Sequence, residues 1–227
     1  SDKVLGAILF ERTMDSEING KPTAQLLWED RGVVPFLKID KGLADEADGV
    51  QMLKPMPDLD ALLAKANAAG IFGTKERSLI LEANAKGIAD VVAQQFEIAR
   101  QVAAAGLVPI VEPEVHIDSA TKAMLSDEIM KHLNGLPEDV DLILKLTIPS
   151  EAGLYDAAAD HPRVLRVVAL SGGYSTEKAC DLLSRNHKMI ASFSRALAEG
   201  LNVKMSEAEF NTALGKNITR IYDASVA

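Results

Sequence analysis

The sequence is poor in cysteine and aromatic residues, and it has no long apolar run. Cys180 is the only cysteine among 227 residues, so an internal disulfide framework is excluded and a reducing compartment is predicted. No apolar stretch approaches the roughly 20 residues that a membrane-spanning helix needs. The first residues, Ser1-Asp2-Lys3, show no signal-peptide pattern. These features predict a soluble, cytoplasmic protein without a membrane partner.

Positive charge is scarce as well. The 24 lysines and arginines stand against 33 aspartates and glutamates, which gives a net charge of −9. This balance argues against nucleic acid or an anionic membrane as the main partner, but it leaves room for a local basic site that binds an anionic metabolite. The four histidines are scattered and lack the spacing of metal ligands, and a Gly-x-Ser-x-Gly nucleophile motif is missing. We therefore expect no metal, no other cofactor and no serine nucleophile.

Strand-like and helix-like segments alternate along the chain. Hydrophobic residues make up 48% of it, which is enough for a sizeable core. The helical segments have apolar residues at helical spacing and cover 23–28, 59–68, 88–104, 121–133, 152–159, 176–186 and 207–222. The strand-like segments are short and almost continuously apolar, as is typical of parallel strands buried on both faces, and cover 4–10, 33–40, 70–75, 107–112, 142–147, 164–170 and 189–194. The alternation predicts one β/α domain over residues 1–227.

Seven strands are one fewer than a (β/α)8 TIM barrel contains, and such barrels typically have about 250 residues. The chain also enters a strand at once, with no helix before it. We therefore expect a β/α barrel whose first β/α unit precedes Ser1, so that the present strands are numbers two to eight. An open doubly wound sheet is the alternative, but the sequence has no Gly-x-Gly-x-x-Gly turn to support it.

Lys145 stands out because it lies inside an otherwise apolar strand segment, 142–147. Burial of an ammonium group is costly unless the group is paired or loses its proton. Desolvation and neighbouring cations lower the pKa of a lysine, and the free amine is then a nucleophile. With carboxylates on other strand segments, Lys145 indicates Schiff-base chemistry on a carbonyl substrate.

Pairs of charged residues at alternate positions lie near the carboxyl ends of three further strand segments. Alternate strand residues share a face, and in β/α barrels the carboxyl ends of the strands form the active site. Each pair alone fits a solvent-exposed ion pair or charge cluster equally well, so the prediction depends on their coincidence with Lys145. The pairs are Lys38 with Asp40, Lys75 with Arg77, and Glu112 with Glu114.

Two late turns have the features of an anion site. The turn Ser171-Gly172-Gly173 follows a strand segment and precedes a helix that begins near Ser175. Glycines allow backbone amides to approach a ligand, and a helix amino terminus favours negative charge. Arg195 follows the last strand segment, and phosphate sites of β/α barrels commonly use the loops after strands seven and eight. An ordinary tight turn is the alternative interpretation of the glycine pair.

Six motifs are spread along the whole chain. They are Gly6-Ala7-Ile8-Leu9-Phe10-Glu11, Lys38-Ile39-Asp40-Lys41-Gly42, Gly106-Leu107-Val108-Pro109-Ile110-Val111-Glu112-Pro113-Glu114, Leu144-Lys145-Leu146, Leu170-Ser171-Gly172-Gly173 and Ser194-Arg195-Ala196-Leu197. In these motifs, which together are highly specific, the chain closely resembles the class I fructose-1,6-bisphosphate aldolases in their shorter prokaryotic form.

The resemblance implies a metal-free enzyme that reversibly cleaves fructose 1,6-bisphosphate to dihydroxyacetone phosphate and glyceraldehyde 3-phosphate through a lysine imine. It implies that Lys145 forms the Schiff base, that Glu112 is the general acid/base, and that Glu114 holds the lysines in place. Lys75 resembles the second active-site lysine. The remaining candidates are expected to bind the substrate: Lys38, Asp40, Arg77, Ser171, Gly172, Gly173 and Arg195. Among them, Ser171, Gly172 and Arg195 match the family's site for the first phosphate.

The family also carries an aspartate on its first strand, in an Ala-x-Asp-like segment that is not found ahead of Val4. This agrees with the expectation of an upstream β/α unit. Two other functions stay open from the residues alone: another imine-forming sugar-phosphate aldolase, or an inactive barrel that acts as a binding or scaffold protein. The partners that we expect are sugar phosphates and further copies of the chain in a homo-oligomer, with neither nucleic acid nor membrane.

Overall fold

The computed structural model of the chain describes residues 2–116 and 121–227. The strands in these residues are β1 (Gly6–Leu9), β2 (Glu17–Ile18), β3 (Lys21–Pro22), β4 (Val34–Lys38), β5 (Val50–Gln51), β6 (Gly73–Ile80), β7 (Val108–Val115), β8 (Leu142–Thr147), β9 (Val164–Leu170) and β10 (Met189–Ala191). The helices are α1 (Glu11–Met14), α2 (Thr23–Gln25) with a π-helical continuation (Leu26–Asp30), α3 (Leu59–Ala68), α4 (Ala85–Ala104), α5 (Lys122–Leu133), α6 (Asp156–Ala159), α7 (Thr176–Leu183) and α8 (Glu207–Ser225).

The seven predicted strands form one parallel sheet. Its order is β1-β4-β6-β7-β8-β9-β10, so each strand lies beside the next of the seven in the sequence. Every pair along this path is parallel, as right-handed β/α crossovers require. The short strand β5 adds to β6 in the antiparallel direction, and β2 pairs with β3 in a separate hairpin. The predicted alternation of strands and helices is therefore confirmed.

The helix-facing side of the sheet contains the main apolar core. Side chains from alternate positions of β7, β8 and β9 pack there against α4 and α5, with Phe96 and Ile129 among the fully buried residues. A second cluster joins β1 and β4 to α3 through Leu37, Ile39 and Leu63. Because the helices cover one face, the residues at intervening strand positions point to the opposite face. That opposite face carries the charged candidates.

Two of the strands continue well beyond their predicted ends, and the difference changes where the candidates lie. Strand β6 was expected to end at Lys75 and β7 at Glu112, but they continue to Ile80 and Val115. The two strands pair over eight consecutive positions, and β5 adds to the extended end of β6. Lys75 is therefore held inside the sheet between β4 and β7, and Glu112 is paired with β6.

Two predicted helices are shorter than expected, and one side chain bonds to the chain beside both of the shortened ends. Helix α6 begins at Asp156 and not at residue 152, and α7 ends at Leu183 and not at residue 186. The side chain of Asn186 donates to Leu182 O at 2.9 Å and accepts from Gly153 N at 3.1 Å. It thus binds a carbonyl at the end of α7 and the turn ahead of α6 together, a contact between segments that are distant in the sequence.

Candidate active site

Three buried side chains meet on the face of the sheet that the helices do not cover. Glu112 of β7 lies between Lys75 of β6 and Lys145 of β8. Its Oε2 is 2.8 Å from Lys75 Nζ, and its Oε1 is 3.2 Å from Lys145 Nζ. All three side chains are about nine-tenths buried or more, with exposed fractions of 8%, 5% and 11% for Lys75, Glu112 and Lys145. The strand order positions them, because adjacent parallel strands bring their alternate residues side by side.

The environment of Lys145 favours its neutral amine. Burial is the largest influence and lowers the pKa of Lys145 below its ordinary value, and the positive charge of Lys75 acts in the same direction. Glu112 opposes both through its charge and its hydrogen bond, without reversing the shift. A lysine with a lowered pKa beside a carboxylate has two features that favour imine formation: it releases its proton more readily, and a group that can transfer protons lies next to it.

Lys38 and Asp40 extend this cluster toward β4. The Oδ1 atom of Asp40 lies 2.5 Å from Lys38 Nζ, and its Oδ2 lies 3.9 Å from Lys75 Nζ. Asp40 is 4% exposed, whereas Lys38 is 26% exposed. Lys38 and Lys75 are direct register partners of β4 and β6, so Asp40 balances part of the repulsion between their charges. The cluster becomes more accessible to solvent at Lys38.

Arg77 and Glu114 form a separate ion pair two residues further along β6 and β7. Arg77 donates to Glu114 at 2.9 Å, and the two side chains are 39% and 12% exposed. That Glu114 holds the lysines in place stays a prediction, and its negative charge acts on Lys145 against the effect of burial. Among the residues that the structure describes, the carboxylate that bridges Lys75 and Lys145 is Glu112, and the ion pair of Glu114 is with Arg77.

The two turns of the candidate phosphate site lie together beyond β9 and β10. The hydroxyl of Thr176, at the start of α7, donates to Ala196 O at 2.8 Å, which joins the turn of Ser171 to the segment that carries Arg195. Gly172 and Gly173 have φ angles of 61° and 103°, a conformation that glycine adopts without strain. Arg195 is exposed.

The amino terminus of α7 is already engaged by a carboxylate. Thr176 N donates to Glu199 Oε2 at 2.9 Å, and hydrogen bonds from Thr176 lower the pKa of Glu199. The side chain of Ser175 accepts from Lys178 N in the first turn of the helix. An anion at this end of the sheet is therefore better placed over the Gly172-Gly173 turn than on the first amides of α7, where Glu199 competes.

Gln95 of α4 is a residue of this region that the sequence analysis did not select. It is fully buried and forms three hydrogen bonds, two of them with the backbone of Glu112. The signal that could have identified it is its spacing: it lies three and four positions after Val92 and Val91, on the apolar stripe of the helix. A polar residue on a buried stripe needs a hydrogen-bonding partner.

Glu76 was also missed. It points to the helix-covered face of β6, between Lys75 and Arg77 in the sequence, and it is fully buried. Neither carboxyl oxygen has a hydrogen-bond partner within the described part of the chain. Burial is the largest influence and raises the pKa of Glu76 well above its ordinary value, which favours the neutral carboxylic acid.

Residues 2–116 and 121–227 offer neither a cluster of metal ligands nor a membrane-spanning helix. They contain no group of three or more histidine, cysteine, aspartate or glutamate side chains that could hold a metal ion. None of the helices in these residues is both long and apolar enough to cross a membrane.

Comparisons with known proteins place the chain in a family. The family model of class I fructose-bisphosphate aldolase matches residues 1–134. A curated class 1 fructose-bisphosphate aldolase from Synechocystis sp. (strain ATCC 27184 / PCC 6803 / Kazusa) is 56% identical over 229 residues, which cover 99% of this chain and 76% of the relative. The chain belongs to the class I fructose-bisphosphate aldolase family. This membership confirms the resemblance and, with it, the predicted Schiff-base aldolase function.

Solved structures of other aldolases have the same architecture. Fructose-bisphosphate aldolase from Plasmodium falciparum, in a ternary complex with TRAP and a small-molecule inhibitor, is 22% identical, with a TM-score of 0.79 over 99% of this chain and 78% of that one. An archaeal fructose 1,6-bisphosphate aldolase is 11% identical, with a TM-score of 0.54 over 95% of this chain and 77% of that one. At these identities the likeness concerns the fold, and it confirms the β/α-barrel type that the sequence predicts.

Proposed function

We propose that Lys145 is the residue of this aldolase that forms the Schiff base with fructose 1,6-bisphosphate. The observation that carries the proposal is the buried contact between Lys145 and Glu112 at 3.2 Å, in surroundings that lower the lysine pKa. The neutral amine attacks the ketose carbonyl and gives a carbinolamine, which takes up a proton and loses water to form the iminium. The iminium then accepts the electron pair of the carbon–carbon bond that breaks.

Glu112 is the proton-transfer group in this proposal. Its Oε1 faces Lys145 at hydrogen-bond distance, so the carboxyl can donate the proton that leaves with water and later accept the proton of the cleaving hydroxyl. Cleavage releases glyceraldehyde 3-phosphate and leaves an enamine on Lys145. Protonation of that enamine, followed by hydrolysis, releases dihydroxyacetone phosphate and restores the amine. Each step runs in both directions, as aldol condensation requires.

Lys75 keeps Glu112 in place and supplies positive charge. It lies 2.8 Å from the second oxygen of Glu112 and 3.9 Å from Asp40. Its charge favours the neutral amine of Lys145, and in the closed site it offsets the negative charge of a phosphorylated substrate. Glu114 supports the neighbouring Arg77 through their ion pair.

The substrate lies, in this proposal, across the face that carries Lys145. Its first phosphate binds the backbone of the turn Ser171-Gly172-Gly173 and the guanidinium of Arg195, since the two segments are joined by Thr176. The remaining substrate oxygens reach the more exposed side of the cluster, where Lys38, Asp40 and Arg77 lie. The proposed substrates of the enzyme are therefore ketose phosphates that carry this first phosphate. We also propose that the protein is cytoplasmic, because its one cysteine, Cys180, is a free thiol, and that it forms a homo-oligomer.

The first prediction tests Lys145 by chemical trapping. Borohydride added together with dihydroxyacetone phosphate should reduce the imine and leave a permanent adduct, and peptide mapping should find it on Lys145. Lys145→Arg should abolish both the adduct and measurable cleavage, because arginine keeps the positive charge but cannot form the imine. An adduct on Lys75 or Lys38 would move the nucleophile while preserving the reaction class. A folded enzyme that turns over without any adduct would contradict the imine itself.

A further inference from the structure

Glu112 can contact Lys75 and Lys145 at the same time only if its main chain has a fixed position between them. The hydrogen-bonded register of β7 with β8 covers Ile110 and Val111 and is not continued at Glu112. The next residue on β7 is Pro113, which has no backbone N–H to donate. The next contact of the β7 backbone with β8 is made by the side chain of Thr147. Its hydroxyl accepts from Val115 N at 3.0 Å and donates to Val115 O at 2.7 Å.

Gln95 supplies hydrogen bonds to the backbone of Glu112. Its Oε1 accepts from Glu112 N at 3.2 Å, and its Nε2 donates to Glu112 O at 3.2 Å and to Ser78 Oγ at 2.9 Å. Gln95, Glu112 and Ser78 are all buried. The amide therefore uses both of its N–H groups and its carbonyl, and it fixes β7 relative to α4 and β6 at the residue that carries the carboxylate.

We propose that Gln95 is a positioning residue for the aldol reaction: its amide holds the main chain of Glu112 so that the carboxylate bridges Lys75 and Lys145. The inference rests on the proposed role of Glu112 as the proton-transfer group. Gln95 acts from the opposite face of the sheet and touches neither lysine. Its effect reaches the site through the backbone of β7, since a shift of that backbone moves both oxygens of Glu112 at once.

The same helix provides a matched control. Gln94, the neighbour of Gln95 on α4, makes the same pair of bonds to the backbone of Leu53: its Oε1 accepts from Leu53 N at 2.9 Å, and its Nε2 donates to Leu53 O at 3.2 Å. Leu53 is buried in the apolar cluster beside α3. The two glutamines thus form equivalent contacts with the main chain, and only one of these contacts leads to a candidate catalytic residue.

The second prediction compares Gln95→Met with Gln94→Met in the whole chain. Both variants lose two backbone hydrogen bonds, and both should lower the unfolding temperature. Gln95→Met should also lower kcat and the rate of imine trapping by about 10- to 100-fold, the range expected when a reacting group is misplaced by about 1 Å. Its KM should change by less than about threefold, because the phosphate site is untouched. Gln94→Met should keep kcat within about twofold of the parent.

A further variant and a reference complete the experiment. Gln95→Asn keeps the amide but is shorter by one methylene, so it should also reduce kcat while disturbing the core less. Glu112→Gln is measured beside it. If Glu112→Gln keeps full activity, the proposed role of Glu112 fails. If Glu112→Gln is inactive while both Gln95 variants keep kcat, or if the Gln94 and Gln95 variants lose kcat equally, the positioning role of Gln95 is wrong.

Discussion

Strand β6 carries ionisable side chains on both of its faces, and the two faces differ in the partners that they provide. On the uncovered face, Lys75 and Arg77 each lie within 2.9 Å of a carboxylate of β7. On the face covered by α4, Glu76 is fully buried, and neither of its carboxyl oxygens has a hydrogen-bond partner in the described residues. The position of Gln95, bonded to Ser78 two residues beyond Glu76, places α4 over that face.

The comparison teaches that burial alone does not decide whether a side chain keeps its charge. Lys75 and Glu76 are adjacent in the chain and similarly buried, but within residues 2–116 and 121–227 Lys75 has an ion-pair partner and Glu76 has none. Ion pairing compensates the loss of hydration, whereas an isolated buried carboxyl takes up a proton. We therefore expect substitutions on the uncovered face to change catalysis and substitutions on the covered face to change stability.

The largest expected effect is on the uncovered face. Lys75→Met should lower kcat by about 10²- to 10⁴-fold, because Glu112 loses the ion pair that orients it and the site loses a positive charge. The measurement is steady-state cleavage of fructose 1,6-bisphosphate. Lys86→Met is the control: Lys86 also has two carboxylate partners, Asp48 and Asp90, but on the exposed surface. If the Lys75→Met enzyme is as active as the Lys86→Met enzyme, Lys75 has no role in catalysis.

A pH-dependent effect on stability is expected on the covered face, at Glu76. Because burial raises the pKa of the folded state above the ordinary value of 4.5, the neutral carboxyl contributes its full stability below that pH. The contribution is lost as the pH rises toward the higher, folded-state pKa. The free energy of unfolding of Glu76→Gln should therefore rise relative to the parent by about 1.4 kcal/mol per pH unit in that window.

The measurement for Glu76 is denaturant unfolding of parent and variant from pH 4 upward. Glu97→Gln is the control, since Glu97 is exposed on α4, the helix that covers this face of β6, and a difference that grows only in Glu76→Gln points to the buried carboxyl. A constant offset between the parent and Glu76→Gln at every pH would mean that Glu76 keeps its charge in the folded protein, and the contrast between the two faces of β6 would then disappear.

The smallest effect concerns the hydroxyls that share the covered face with Glu76. Thr74 is fully buried with no partner for its hydroxyl in the described residues, whereas Ser78 accepts from Gln95 at 2.9 Å. Thr74→Val should be neutral or stabilise the fold by up to about 1 kcal/mol, while Ser78→Ala should destabilise it by about 1 kcal/mol. Thermal unfolding measures both. Shifts of the same sign would show that hydrogen-bond satisfaction does not separate these two positions.

Most of the fold could be predicted from local pattern. The strands at 142–147 and 164–170 and the helix at 59–68 have the predicted bounds, since apolar runs and helical spacing are properties of consecutive residues. The missed features depend on contacts between distant segments. Strand β6 is longer than predicted because β5 and the far half of β7 pair with it, and Asn186 ends α7 through side-chain contacts.

The candidate residues were predictable as types but not as partners. A lysine in an apolar strand and carboxylates at alternate positions pointed to Lys145, Glu112 and Lys75, and they do meet. The ion pair of Glu114 with Arg77 was not predicted, because it depends on the register of β6 with β7, which pairs Arg77 directly with Glu112 and leaves the Glu114 carboxylate within reach of the Arg77 guanidinium. The spacing of Gln95 on the apolar stripe of α4 marks it as a buried polar residue, but the sequence does not reveal that its partner is the backbone of Glu112.

The sequence by itself determined the alternation of strands and helices, the family, and the residue types that carry the chemistry, because these are written in periodicity and in motifs of neighbouring residues. The tertiary structure decided which carboxylate pairs with which lysine and which side chain bonds to the backbone of Glu112, namely that of Gln95. It also buried Glu76 without a hydrogen-bond partner among the described residues. The physical reason is that an ion pair or a buried hydrogen bond depends on distances of a few ångströms between strands and helices. Those distances are set by register and packing, which arise only when separate segments come together.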